Sequence, residues 1–296
     1  MSTVQNLQKK YLPGIMPEDF FVLIAHATGK EKVFLLAHPE YELSAAEEEK
    51  AKQHLERRLK HEPVAYITGH KEFYGRDFHV THDTLIPRPE TELMIEQVLD
   101  RIKNTESGIM KEGEEIDLID IGTGSGNIII TLAKEFSLLM RHTSYVNFYA
   151  LDISPRALAI AEDNARTHSV GEKISFIESD LLQNFSPVRE THHPLIVTAN
   201  LPYLSHDIYQ GSDADVRDYE PQGALESGVD GLDHYRRLLL ELKNLVCPDH
   251  TITLLLEISP EQTLELTREI QSIFPDVTLL TLQDLSGRDR LIQASL

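Results

Sequence analysis

Two short stretches of this chain combine residue types that could do chemistry. One is Asn200-Leu201-Pro202-Tyr203, which follows the apolar run Pro194-Leu195-Ile196-Val197-Thr198-Ala199. The other is Asp120-Ile121-Gly122-Thr123-Gly124-Ser125-Gly126. A strand that ends in Asn and then Pro leaves a carboxamide and unpaired backbone carbonyls at the C-terminal edge of a sheet, where open α/β sheets bind ligands. The Asn200 side-chain oxygen and the Leu201 carbonyl can each accept one N–H of a bound NH2 group. A planar nitrogen, in an amide or a nucleobase amine, is a poor nucleophile because its lone pair is delocalised. Two acceptors would hold it about 3 Å from a methyl donor and stabilise the positive charge that develops as the new bond forms. The Tyr203 ring can lie against the planar group. No general base is needed before attack, since the proton can leave afterwards. The plain alternative is a strand-ending turn in which Asn caps and Tyr packs.

Gly122, Gly124 and Gly126 allow positive φ and close backbone approach, and a helix is expected directly after them. Its free N–H groups and positive dipole end would face a ligand. The spacing G-x-G-x-G departs from the G-x-G-x-x-G dinucleotide fingerprint, and a tight strand-to-helix turn accounts for it equally well. Asp152 ends the next expected strand, where a carboxylate can accept both hydroxyls of a ribose; otherwise it merely precedes the cap Ser154-Pro155. Asp180, after the third strand, either accepts from an adenine amino group or is a loop acid. Three successive strand ends together point to a nucleoside-containing cofactor.

The elements that must position these residues follow from periodicity. Residues 1–70 carry apolar positions at helical spacing, as in Phe20, Phe21, Leu23 and Ile24, and Ser44 with Glu47 forms a capping-box pattern before Ala51, Leu55 and Leu59. A small helical domain is expected there. Residues 71–88 change period: Phe73 to Val80 reads as a hairpin turning near Gly75, a linker between domains. From 89 to 296 strands and helices alternate. Strands are expected near Ile116–Ile121, Val146–Leu151, Ile174–Ile177, Leu195–Ala199 and Thr251–Ile258, with helices near Asn127–Phe136, Pro155–His168, Leu232–Val246 and Glu261–Phe274. Such alternation implies right-handed crossovers and a parallel sheet. The last two strands, Val277–Leu282 and Arg290–Ser295, have no helix between them, so one must run antiparallel. This α/β arrangement, a mostly parallel sheet closed by a C-terminal hairpin, is that of class I S-adenosylmethionine-dependent methyltransferases. The polar stretch Asn104–Glu115 reads as a surface loop.

Composition narrows the setting. The 296 residues are 41% hydrophobic and 26% charged, with no apolar run near the roughly 18 residues that span a bilayer. The N-terminus lacks a signal-peptide pattern. The single cysteine, Cys247, excludes an intrachain disulfide, fits a reducing cytoplasm and reads as a packing residue rather than a nucleophile. His79 and His82 fall on opposite faces of an extended segment, and no metal site is expected. With 28 Lys and Arg against 48 Asp and Glu, the net charge of −20 disfavours direct binding of long duplex nucleic acid, although Arg57-Arg58-Leu59-Lys60-His61 could form a local basic patch. Arg217 and Glu220 either pair with each other or support a substrate pocket.

Over nearly its whole length the chain resembles the protein-(glutamine-N5) methyltransferase family, HemK or PrmC. The resembling blocks are Glu62-Pro63-Val64-Ala65-Tyr66-Ile67-Thr68-Gly69, Phe73-Tyr74-Gly75 and Leu85-Ile86-Pro87-Arg88-Pro89-Glu90-Thr91-Glu92. The set continues through Asp120–Gly126, Asp215-Val216-Arg217-Asp218-Tyr219-Glu220-Pro221, Asp230-Gly231-Leu232 and Gly287-Arg288-Asp289-Arg290. The Ile86–Glu92 block is the most specific. The resemblance implies an enzyme of translation termination that methylates the amide nitrogen of the Gln in the Gly-Gly-Gln motif of peptide chain release factors. S-adenosyl-L-methionine would be the donor and S-adenosyl-L-homocysteine the product. Gly122, Thr123, Gly124, Ser125 and Gly126 would contact the methionine part, Asp152 the ribose, and Leu181 would flank the adenine. Asn200 would touch both cofactor and substrate, and Asn200, Leu201, Pro202 and Tyr203 would cradle the glutamine. The helical domain would dock the release factor, and a monomer is expected. Two departures stand out: Leu201 replaces the family's usual Pro, and Ser259 replaces a favoured Gly. Asn-Leu-Pro-Tyr is also the form found in rRNA adenine-N6 dimethyltransferases, so an adenine in RNA or DNA is the competing substrate.

Overall fold

We number only the strands of the large sheet, in chain order: β1 Glu115–Ile121, β2 Tyr145–Asp152, β3 Ile174–Glu178, β4 Leu195–Ala199, β5 Ile252–Glu257, β6 Thr278–Gln283 and β7 Asp289–Ser295. The computed structural model describes residues 2–103, 115–139, 145–185, 194–244 and 251–296. Cys247, residues 104–114 of the polar stretch and the end of the helix expected to reach Val246 lie outside them.

The spatial order is β3-β2-β1-β4-β5-β7-β6. The first five strands are mutually parallel, and β7 runs antiparallel to both β5 and β6. Every residue of β4 and β5 is buried, as parallel strands covered on both faces must be. Helices Asp233–Lys243 and Thr263–Ile273 contribute to one apolar cluster, Glu92–Lys103 and Asn127–Leu139 to the other. Chain order reverses at β1, which pairs with β2 on one side and β4 on the other. There the register sets Ile121 level with both Leu151 and Ala199. The next residues, Gly122, Asp152 and Asn200, therefore emerge together at the C-terminal edge, and Glu257 follows Leu256, which is level with Ala199.

Met1–His70 and Ser212–Tyr219 form one compact unit, and Lys71–Gly211 with Glu220–Leu296 the other. The first contains helices Val4–Tyr11, Pro17–Thr28, Lys32–Ala37, Ala45–Arg58 and Val64–Thr68 around Phe20, Leu23, Ile24, Leu35 and Leu55. Ser44 and Glu47 close the capping box that starts Ala45–Arg58. The inclusion of Ser212–Tyr219, with its short helix Ala214–Arg217, is invisible in the sequence pattern, as is helix His206–Gln210. The Tyr219 hydroxyl donates to the Lys60 carbonyl at 2.7 Å, and Arg58 pairs with Asp19 at 2.8 Å and Asp215 at 3.9 Å. Arg57 is paired with Glu62 at 2.5 Å, so both arginines of the candidate basic patch have carboxylate partners. The hairpin begins earlier than the period change suggests, pairing His70–Phe73 with Arg76–His79. Tyr74 and Gly75 both take positive φ, which a two-residue turn matching strand twist requires.

Candidate active site

The glycine turn takes its shape from what surrounds it. Gly122, Gly124 and Gly126 have φ of 71°, 54° and 79°. Beneath them Asp120 is fully buried, accepting from the Thr123 and Thr198 hydroxyls at 2.7 and 2.9 Å. Burial pushes its carboxyl up to about 6. Asp152 accepts the Gly124 N–H at 2.9 Å and the Ser154 N–H at 2.8 Å, and burial holds its carboxyl above the usual range. The carboxylate therefore shapes the turn while keeping lone pairs for further donors. Ser154 separately caps the following helix through the Ala157 N–H.

A cavity of about 350 Å³ opens over this edge. Gly122, Thr123, Gly124, Ser125, Asp152, Asp180, Leu181, Asn200, Leu201 and Pro202 all line it. Two expected residues do not. Gly126 packs below the turn, where an added Cβ would come within 2.7 Å of Ile130 Cδ1 and 3.1 Å of Ala161 Cβ. Tyr203 is directed away, and its hydroxyl donates to Glu257 Oε1 at 3.3 Å; burial pushes that hydroxyl well above its ordinary range. Asp180 lines the cavity with its carboxylate held in a 2.6 Å ion pair by Arg237. Leu181 is buried at φ 52°, a strained conformation for a branched apolar residue and typical of ligand clamps.

Several residues that the sequence leaves without a definite role complete the site. Arg88 lines the cavity and pairs at 2.5 Å with buried Glu220, which also accepts the Ile86 N–H at 3.2 Å. Glu220 is thus engaged by the Ile86–Glu92 block, whereas Arg217, in the other unit, donates to Asp218. Glu92 accepts the Tyr74 N–H. Thr91, buried, donates to Glu257 Oε2 at 2.7 Å and accepts from Asn200 Nδ2 at 3.2 Å. Among the described residues, Asn200 Oδ1 has no hydrogen-bond donor although it is buried. A buried acceptor in that position is costly unless a ligand supplies the donor. The cavity thus joins a glycine turn at a helix start, a carboxylate, apolar walls and an amide side chain whose oxygen has no donor.

The chain matches the model of the PrmC N-terminal domain over residues 4–69 and that of a methyltransferase domain over 112–192. A release factor glutamine methyltransferase of Bacillus anthracis is 33% identical over 93% of this chain and 91% of its own length. That of Moorella thermoacetica is 36% identical over 92% and 89%, and that of Bacillus subtilis 33% over 92% and 89%. Among solved structures, the hMettl16 catalytic domain in complex with the MAT2A 3'UTR hairpin 6 has a TM-score of 0.52 at 16% identity, covering 75% of each chain. At that identity the likeness speaks for the fold alone.

Proposed function

We propose a site assignment from one premise: the chain belongs to the release factor glutamine methyltransferase family. It methylates the side-chain amide nitrogen of the glutamine in a release factor's Gly-Gly-Gln motif, using S-adenosylmethionine. The single observation behind the assignment is Asn200 Oδ1, an orphaned buried acceptor at the edge of the cavity beside the glycine turn.

The residues present suit the cofactor. The N–H groups of Gly122, Thr123, Gly124 and Gly126 are donated to Leu151, Asp152 and Thr123. The positive end of helix Asn127–Leu139, which the turn opens into, is therefore what suits a carboxylate. Asp152 has lone pairs for ribose hydroxyls, and Leu181 offers an apolar wall to adenine. Asp180, held by Arg237, contributes to that end as an ion pair. S-adenosylmethionine supplies an activated methyl group on a sulfonium. Asn200 Oδ1 and the Leu201 carbonyl accept the two N–H groups of the substrate amide, aim its nitrogen and stabilise the charge that grows on it. Pro202 lines the cavity beside them, and Tyr203 anchors the loop from behind through Glu257. The helical unit docks the release factor. Relatives matched over about nine-tenths of this chain carry the glutamine name, which disfavours adenine as the acceptor.

Incubation with labelled S-adenosylmethionine and a release factor should label the factor, and changing the Gly-Gly-Gln glutamine should abolish the signal. Equal labelling of both factors would refute the assignment. Asn200→Ala should lower kcat by about 10²-fold or more, as loss of a preorganised charge-stabilising contact does.

A further inference from the structure

Glu257 ends β5 and is 1% exposed, and its carboxylate reaches one end of the tetrapeptide directly and the other through Thr91. Oε2 accepts from the Thr91 hydroxyl at 2.7 Å and Oε1 from the Tyr203 hydroxyl at 3.3 Å. A carboxylate can only accept, so Thr91 commits its one proton to Glu257. The Thr91 oxygen is then left as an acceptor, and it takes Asn200 Nδ2 at 3.2 Å. With its NH2 end fixed, Asn200 has one polar side-chain atom left to engage, Oδ1.

We propose that Thr91 and Glu257 are positioning residues of the transfer reaction, a hydrogen-bond relay whose polarity determines that Asn200 offers an acceptor, not a donor, to the substrate amide. The inference rests on Asn200 being the amide's acceptor. A protonated Glu257 would donate to Thr91, Thr91 would donate to Asn200, and the Asn200 amide would turn to receive it. Its NH2 would then face the substrate NH2, donor against donor. Ionised Glu257 is therefore the active form.

The groups around Glu257 come from four elements. Arg290, on β7, favours the charge, as do the Thr91 and Tyr203 hydroxyls; burial and Glu90, from the Ile86–Glu92 block, oppose it. Arg88 acts on Tyr203 from that same block. Tyr235, on helix Asp233–Lys243, donates its hydroxyl to the Glu257 carbonyl. Burial is the largest of these effects and pushes the carboxyl up to about 7, so the relay changes polarity near neutral pH.

The test compares Thr91→Val, Thr91→Ser, Glu257→Gln and Asn200→Ala in the full chain, with a release factor and labelled S-adenosylmethionine as substrates. Thr91→Val should lower kcat by ~30-fold or more, with KM for the factor and cofactor affinity by calorimetry changed less than ~3-fold, the pattern of a lost orienting contact. Thr91→Ser, which keeps the hydroxyl, should restore most of that loss. Wild-type kcat should fall about tenfold per unit of pH below about 7, and Glu257→Gln should flatten that limb between pH 6 and 8. Thr91→Val with wild-type kcat, or a wild-type kcat indifferent to pH between 6 and 8, overturns the relay. If Asn200→Ala is inactive in the same assay, the site assignment survives that failure; if Asn200→Ala stays active, the assignment falls and the relay with it.

Discussion

At position 201 a leucine stands where the family usually has proline, and nearby Tyr235, fully buried, donates its hydroxyl to the Glu257 carbonyl. The Leu201 side chain is 4% exposed and lies against the turn, where a Cβ on Gly122 would stand 3.0 Å from Leu201 Cδ2. The loss of proline's fixed φ is thus offset by a packing contact. Leu201→Pro should destabilise the protein by ~1–3 kcal/mol in urea unfolding, from the thinned packing of a buried side chain. Because the carbonyl at 201 is retained, kcat should change by less than ~10-fold. Unchanged stability would show that the Leu201 side chain does not hold the loop against the turn. Asn200 was legible in the sequence because an apolar run that stops at Asn, one residue short of a Pro-Tyr step, sets a carboxamide at a sheet edge. Glu257 was not: a lone acid closing an apolar run has no spacing to mark it, and its partner Thr91 lies 166 residues away.

The loop after β4 is held by elements that approach it from the far side of the chain order. Gln262, just after β5, donates Nε2 to the carbonyls of Tyr203 at 2.8 Å and Asp230 at 3.1 Å. Gly231, at φ 79°, lies so close to the loop that a Cβ would fall 2.1 Å from the Tyr203 carbonyl oxygen. Gly231→Ala must therefore push the tetrapeptide aside as well as strain its own backbone. It should cost ~1–3 kcal/mol of stability and lower kcat at least ~10-fold. Affinity for S-adenosylmethionine by calorimetry should change little, because the glycine turn is built on β1 and β2. Loss of cofactor binding in a folded variant would mean that the two halves of the site are not separable. Strand–helix alternation made the sheet readable, since period 2 and period 3.6 differ over any full-length element. Ser212–Tyr219 escaped because its helix, Ala214–Arg217, has four residues and no period to read.

Across the whole molecule, acid acts in opposite directions on the two units. In the helical unit His54 is 6% exposed and stacks on His26, with ring centroids 5.1 Å apart at 19°. Burial lowers both from the usual imidazole range; Lys50 and His70 add to this at His26, and His26, Lys50 and Arg57 at His54. The unfolded chain takes up these protons near pH 6.5 while the folded unit resists them, so stability is present above about 6.5 and lost as pH falls below it. In the sheet unit Glu257 and Asp120 are pushed up to about 7 and about 6. The folded state there holds protons that the unfolded state releases, so stability is gained as pH falls from about 7 toward the ordinary carboxylate range. His234, lowered by burial, opposes this as a single group. Hydrogen exchange at pH 5.5 and 7.5, corrected for intrinsic rates, should show helices Pro17–Thr28 and Ala45–Arg58 losing protection on acidification while β1, β4 and β5 keep theirs. His54→Gln, which cannot take a proton, should reduce the loss in the helical unit. An equal change in both units would mean that general charge effects in a chain of net charge −20 outweigh the buried histidines.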